Sequence, residues 1–560
     1  MSAAESSKTK SSSGSSLIRS SMVYSSLTMV SRVMGFARDL AVSYTMGASA
    51  TFAADAFNAA FAFPNLFRRI FAEGAFSAAF VPAYSRALEQ DGEEKADILA
   101  GDAMAALAAI TLALSVALTL AMPWLMYAYA PGFAANPAKF KLAVVLTQIT
   151  MWYLPCMAIY AHLSGVLNAR NRFVLSAGAP ILLNLWTLAT VLPAGSSVAA
   201  AEFASWGVLA AGVSQALVLM WGVRRSGAQV HWRWPRMTPE IWALIKRAVP
   251  GAVAASATQV NIFVSGMLVS GVNGGRSWLA VCDRLYQLPL GLVGVAVGVA
   301  LLPRLSRAVH GKDRPGAQAA LDQAITFSLA LTLPAAVALA AMPYFLIDAL
   351  YTRGAFTSAD ALQTARALQH YGWGVPAFVL AQLASRAFFA HQDTKTPMQF
   401  ALISVAVNIV AGVTLFQLVG VWGIAAATSL AAWINVIQML VRLWRRDMYR
   451  PSALTWSRLG RIALANIALG LMLGAAAHFR PLLEAPFAGV HLGHALGAKE
   501  IAVVLVVMAG AAVYPPLLFA FGGLTWTDIK TALRRPPKEL TLDQEIEQDL
   551  GKTPAGPDLL

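Results

Sequence analysis

The sequence predicts an all-α polytopic membrane protein: fourteen transmembrane helices, in two pseudo-symmetric six-helix lobes plus two C-terminal helices. Three observations predict it. The 560-residue chain is 58% hydrophobic and only 12% charged, a balance far from that of soluble domains. Apolar stretches of about 20 residues, the length of one hydrocarbon crossing, recur nearly end to end. Basic residues also gather in alternate connections, which is the positive-inside pattern.

The elements follow in order. Residues 1–21 are Ser-rich, lack the apolar core of a signal peptide and predict a disordered cytoplasmic tail. Fourteen helices are centred near residues 35, 65, 110, 155, 184, 212, 258, 290, 332, 375, 408, 432, 468 and 510. Arginines and lysines cluster before the first helix (Lys8, Lys10, Arg19), at Arg170 and Arg172, at Arg224, Arg225, Arg233 and Arg236, and from Arg304 to Arg314. They cluster again from Arg442 to Arg450 and from Lys530 to Lys538, whereas the connections near 48, 195, 273 and 420 carry almost none. The alternation places both termini in the cytoplasm, as an even number of spans requires. It also assigns the net charge of +14 to membrane topology and excludes nucleic acid as the partner. The Pro- and charge-rich residues 526–560 predict a second cytoplasmic tail.

An internal duplication divides the chain. Ala121-Met122-Pro123-Trp124 returns as Ala341-Met342-Pro343-Tyr344; Val81-Pro82 and Ser85-Arg86-Ala87 return as Leu302-Pro303 and Ser306-Arg307-Ala308; Trp152 and Pro155 return as Trp373 and Pro376. The offset is 220 or 221 residues each time. It spans six helices, an even number, so the copies share one orientation about an axis along the membrane normal. The expected units are a first lobe over 22–225, a basic linker over 226–239, a second lobe over 240–447, and two added helices over 448–525. A substrate site is expected between the lobes near mid-membrane.

Charges stand where a membrane should not have them. On the first helix Arg32, Gly35 and Asp39 share a face, with Arg38 beside them. Asp55, Arg68, Arg69 and Glu73 lie in or beside the second helix, where Pro64 predicts a kink or local unwinding. Asp283-Arg284 is expected to open the equivalent helix of the second lobe. A charge at bilayer depth costs at least ~2.5 kcal/mol, so such residues face a water-filled cavity, a partner or a substrate. Arg69 and Glu73 are spaced to pair with each other, and Asp39 and Asp55 suit neutralising or capping roles. Arg32, Arg38, Arg68 and Arg284 remain as an excess of fixed positive charge. Arginine forks bind phosphate bidentately and stay charged at all relevant pH, so a diphosphate head group suits the cluster. Asn261, Asn408 and Asn435 are candidates for an ion site, or for interhelical hydrogen bonds. Two cysteines, Cys156 and Cys282, give neither a disulfide framework nor a metal motif. No nucleotide-binding or hydrolase motif is present, so no cofactor is expected; transport would draw on the membrane potential, a monovalent cation or the cargo's own gradient.

The stretches Ser31–Asp39, Pro64–Ser77 and Phe80–Pro82 resemble the lipid II flippase family (MurJ, or MviN) of the multidrug/oligosaccharidyl-lipid/polysaccharide exporter superfamily. Asp283-Arg284-Leu285, Gly294–Gly298 and the Gln392–Pro397 loop are similar to that family as well, while Gln287 stands where some members carry an acid. The resemblance implies fourteen helices around a central cavity that alternates between inward- and outward-open states in the bacterial inner membrane. It implies lipid II as cargo, undecaprenyl-diphosphate-MurNAc-pentapeptide-GlcNAc, with cell-wall synthesis machinery as a partner. It carries the cavity arginines onto Arg32, Arg38, Arg68 and Arg284, with Asp55 and Glu73 as accompanying carboxylates, and makes the last two helices a groove for the lipid tail. The alternatives are a cation-coupled multidrug exporter and a flippase for another polyprenyl-diphosphate glycan.

Overall fold

The computed structural model describes residues 3–70, 76–311, 313–490 and 497–526, and no strand occurs among them. The first part of the chain holds α1 (Ala3–Met46), α2 (Ala53–Ile70), α3 (Phe76–Gln90), α4 (Glu93–Tyr129), α5 (Pro137–Thr150), α6 (Tyr153–Ala169), α7 (Phe173–Gly178), α8 (Pro180–Val191) and α9 (Ser197–Arg225). The second holds α10 (Pro239–Val269), α11 (Gly275–His310), α12 (Arg314–Ala341), α13 (Pro343–Tyr351), α14 (Ser358–Gly372), α15 (Val375–Ala390), α16 (Lys395–Val419) and α17 (Val421–Arg445). Last come α18 (Ala453–His478), α19 (Arg480–Glu484) and α20 (Ala498–Ala520).

Local chemistry sets many of the starts. Asn136, Ser196, Thr238 and Ser452 each accept a backbone N–H of the first turn of α5, α9, α10 and α18. Thr357 and Asp360 form a reciprocal capping box on α14. Proline occupies the first turn of α5, α8, α10 and α13, where its missing N–H costs nothing.

Ten of the described helical segments are long and apolar enough to cross a membrane. The apolar window of α5–α6 and that of α14–α15 are each 61% covered by protein, against 11% for α16. The first two are therefore central and the last is a peripheral helix facing lipid. The cores are built largely from alanine: Ala56, Ala59, Ala143, Ala200, Ala201 and Ala204 sit in one cluster with Met122, Met126 and Leu146. Small residues let backbones approach closely where lipid provides no hydrophobic drive between helices. A separate core fixes the last long helices, α18 and α20, to α12 and α13 through Leu469, Leu473, Val503 and Val506. The Tyr514 hydroxyl donates to Ala330 O at 2.7 Å, and Arg480 pairs with Asp348 and Glu484.

Helix α1 runs from Ala3 to Met46. Two local expectations change. Helix α2 runs through Pro64 to Ile70, so the chain does not unwind at that proline. Helix α11 starts at Gly275, and Asp283-Arg284 therefore lies more than two turns inside it. The C-terminal tail beyond residue 526 lies outside the described residues.

The Gln392–Pro397 loop between α15 and α16 owes its form to Asp393. Its carboxylate accepts Thr396 N (2.9 Å), Thr396 Oγ1 (2.7 Å) and Arg446 Nη1 (2.6 Å). The Thr396 hydroxyl and backbone N–H, with Arg446, hold its pKa down at about 2. Asp393→Asn keeps a capping oxygen but removes the charge that faces Arg446 and the start of α16, and is expected to lower unfolding stability in detergent by ~0.5–1 kcal/mol. Because the folded pKa lies below the unfolded value of about 3.9, the native chain's advantage is complete above pH ~4 and disappears as pH falls through about 2. Thermal unfolding of both chains across that range checks it.

Candidate functional site

One carboxylate joins two distant parts of the chain. Arg38 grips Asp39 Oδ1 with Nε at 3.0 Å and Nη2 at 2.7 Å. Arg284 Nε, from α11, forms an ion pair with the other oxygen, without the alignment of a hydrogen bond. The Arg38 guanidinium also lies 5.8 Å from the Phe61 ring centroid. The Arg284 side chain stays 40% exposed, so the cluster is open to whatever fills the space beside it. Arg38 stands eight residues before Met46 and Arg284 nine after Gly275. At ~1.5 Å per residue, both lie ~12–14 Å from the helix ends, near the middle of a ~30 Å hydrocarbon layer.

A second cationic level lies about two turns away. The exposed Arg32 places its guanidinium against Gly291 of α11, where any Cβ would collide with it. Gly35 leaves ordinary contact distance, 3.6 Å, between its missing Cβ and the Asn184 amide, and that amide donates to Ser31 O at 2.9 Å. At Gly291 the absent side chain leaves the space that the Arg32 guanidinium occupies. The backbone of α2 carries Arg68 and Arg69 to a similar distance along the bundle from its own start at Ala53. Glu73, and with it the expected Arg69–Glu73 pair, lies outside the described residues. Asp283 accepts from Tyr286 Oη (2.6 Å) and Gln287 Nε2 (2.5 Å), and Tyr286 stacks on Tyr371. The three asparagines do not converge by hydrogen bonding among the described residues: Asn408 reaches Thr428 at 3.5 Å, and Asn435 Oδ1 has no partner.

Asp55 serves differently from the arginine set. Fully buried, it accepts Lys139 Nζ (2.7 Å), Gly274 N (2.8 Å), Ser277 N (3.1 Å) and Ser277 Oγ (2.9 Å). It thus caps the start of α11 from α2 while neutralising a lysine of α5. Gly274 adopts φ +84° and leaves no room for a Cβ beside Ser49 and Trp278, so only glycine fits there comfortably. Around this pair the charge-poor connections lock together. Asn273 donates to Ser49 O (2.7 Å), Arg276 to Tyr129 O (2.9 Å), and Ser270 Oγ accepts Gly132 N (3.0 Å). Asp360 accepts Ser49 N and Trp278 Nε1, each at 2.9 Å. Sequence reasoning missed Lys139, Arg276 and Asp360. The available signal was that each charge sits at the edge of an apolar stretch, where it could equally face water.

Chemically, the Arg38–Asp39–Arg284 group is a pair of guanidinium forks held apart by an exchangeable anion. It has no nucleophile–base arrangement, and it suits recognition of a doubly charged oxyanion.

Known proteins resemble this chain in sequence and in fold. The family described as Lipid II flippase MurJ matches residues 42–490. A Rhizobium tropici protein named Probable lipid II flippase MurJ is 37% identical over 525 residues, covering 93% of this chain and 97% of that one. The Lipid II flippase MurJ of Burkholderia cenocepacia is 32% identical over 479 residues, 83% and 91% of the two chains. Among solved structures, a lipid II flippase MurJ in an inward closed conformation superposes with TM-score 0.73 at 24% identity, covering 89% of this chain and 98% of that one. An inward-facing multidrug resistance MATE family transporter gives 0.62 at 15% identity over 76% and 98%. These two likenesses are of fold.

The Asp55–Lys139 pair generates a stability test. Asp55→Asn leaves a buried ammonium without its counter-charge and is expected to cost ~3 kcal/mol or more. Adding Lys139→Met removes that charge and restores part of the loss. Chemical unfolding in detergent of both variants measures the difference; equal stability of the single and double variants would assign the role to capping alone.

Proposed function

The chain belongs to the lipid II flippase family MurJ, and on that premise we propose that it carries undecaprenyl-diphosphate-linked peptidoglycan precursor across the bacterial cytoplasmic membrane by alternating access. It is a multi-pass membrane transporter and not an enzyme. The observation that carries the proposed site is Asp39 held at once by Arg38 and by Arg284 of α11. In the empty protein this carboxylate occupies the place of the diphosphate. Binding is then an exchange of anions: the head group takes both forks, Asp39 is released, and the two parts of the chain are bridged by cargo. Arg32 and Arg68, two turns further along, receive the diphosphate first. The latched charge-poor end, centred on Asp55, opens when the loaded site closes from the basic end, and the polyprenyl tail stays in lipid along α18 and α20.

The proposed frame has fourteen crossings, taking α2 with α3, α5 with α6, α7 with α8, and α14 with α15 as one crossing each and α13 and α19 as none. Six fall in 22–225, six in 240–447 and two in 448–525. The charge alternation orients both termini to the cytoplasm. Membrane potential or a monovalent cation drives the cycle, the latter through Asn261, Asn408 and Asn435, and cell-wall synthesis machinery takes the product. The multidrug-exporter reading has the fold likeness in its favour, but an exporter of cations needs free carboxylates, and Asp39 is already covered by two arginines.

In vesicles loaded with lipid II, Arg38→Ala and Arg284→Ala are each expected to slow outward exposure of the precursor by ~10-fold or more, the loss of one charge-assisted hydrogen bond to the diphosphate. Unfolding midpoints should remain near the native value. Normal exposure in either variant overturns the site. Gly291→Leu should impair transport with every arginine still present, because the new side chain occupies the Arg32 guanidinium position. Depletion in cells is expected to accumulate lipid-linked precursor; drug sensitivity without accumulation would favour the exporter.

A further inference from the structure

The linker between α9 and α10 is not a loose tether. Gln229 N donates to Asp97 Oδ2 at 2.6 Å, and Arg233 pairs with Asp102 at 3.5 Å. Between them the His231 carbonyl lies against Gly101 of α4, so close that a Cβ there would stand 2.8 Å from it. Asp97 is itself braced by Tyr84 and Arg170. Ala228 is buried and Val230 packs against the core that Ala96, Ala100 and Ala103 of α4 help to build, which fixes the start of the strap, while Trp232 is 65% and Trp234 85% exposed. These are large apolar rings held outward by a fixed strap.

The surroundings say what meets them. The strap joins the ends of two membrane helices, so it lies at the bilayer surface. Trp221 and Trp242, also exposed, flank it on α9 and α10. Arg225 lies 4.9 Å over the Trp221 ring, and Lys246 5.6 Å over the Trp242 ring. Residues 221–247 hold six arginines and lysines against one acid, Glu240. Tryptophan and arginine interleaved at a helix end match the headgroup layer, and this charge balance is complementary to an anionic one.

We propose that the 221–247 segment is a docking surface for anionic phospholipid headgroups. Trp232 and Trp234 insert at headgroup depth, and Arg224, Arg225 and Arg236 select negative lipid. Because the strap is bound to α4, this contact fixes the depth of α4 in the leaflet. Each basic residue near an anionic surface favours it by roughly fivefold, less at high salt.

The test uses the full chain in phosphatidylcholine vesicles containing phosphatidylglycerol, with bromine on one lipid or the other at equal content. Tryptophan fluorescence should be quenched more, by ~twofold, when phosphatidylglycerol carries the bromine. Trp232→Phe/Trp234→Phe should remove most of that difference. Arg224→Gln/Arg225→Gln/Arg236→Gln should equalise the two lipids while phosphatidylcholine quenching persists, which also shows that the variant is folded and inserted. Equal quenching in the native chain, a preference that survives the triple variant, or strap tryptophans quenched by neither lipid, as for a surface turned to water or protein, overturns the proposal.

Discussion

An arginine inside a membrane must be given an anion, and here two arginines from distant parts of the chain are given the same one. Asp39 receives Arg38 from its own helix and Arg284 from α11, some 245 residues away. Taking a guanidinium out of water without compensation costs several kcal/mol. A single carboxylate shared by two forks compensates only in part, and the group retains an excess of positive charge. In the proposed cycle, that residual charge is what an arriving anion would neutralise. The glycine at 291 is the steric counterpart: it leaves the space that the Arg32 guanidinium fills.

The charge-poor end shows the opposite arrangement. Asp55 is fully buried and saturated, with one lysine and three hydrogen bonds from the start of α11. Nothing there is exchangeable with a ligand. A saturated network at one end and an unsaturated, exposed one at mid-bundle give the molecule a direction. The first holds shape, and the second waits for charge. Both meet on α11, through Ser277 near its start and Arg284 two turns on, so a ligand on Arg284 acts on the helix that Asp55 caps.

Composition and periodicity made the helical membrane class legible, and the arginines on α1 and α11 stood out because nothing apolar can explain them. Their common partner could not be read, since no local spacing relates Asp39 to Arg284. Asp55 was identified as a neutraliser or cap, but its lysine and the helix it caps lie 84 and 219 residues away. Lys139 looks in sequence like an interfacial residue beside the Asn136 cap; burial alone makes it a core cation. The start of α11 was placed too late because Gly274-Gly275 reads as a turn, whereas Gly274 is a left-handed cap from which the helix begins at once.

The central claim is that Asp39 holds the place of the cargo's diphosphate. It is tested most directly by the affinity of the purified chain for lipid II, measured for native protein and for Asp39→Asn. Asparagine keeps the size but removes the competing charge. Asp39→Asn is expected to bind more tightly, because both arginine forks are then free for the diphosphate. Weaker binding would contradict it, and would make Asp39 a scaffold that aims the arginines and is not displaced from them.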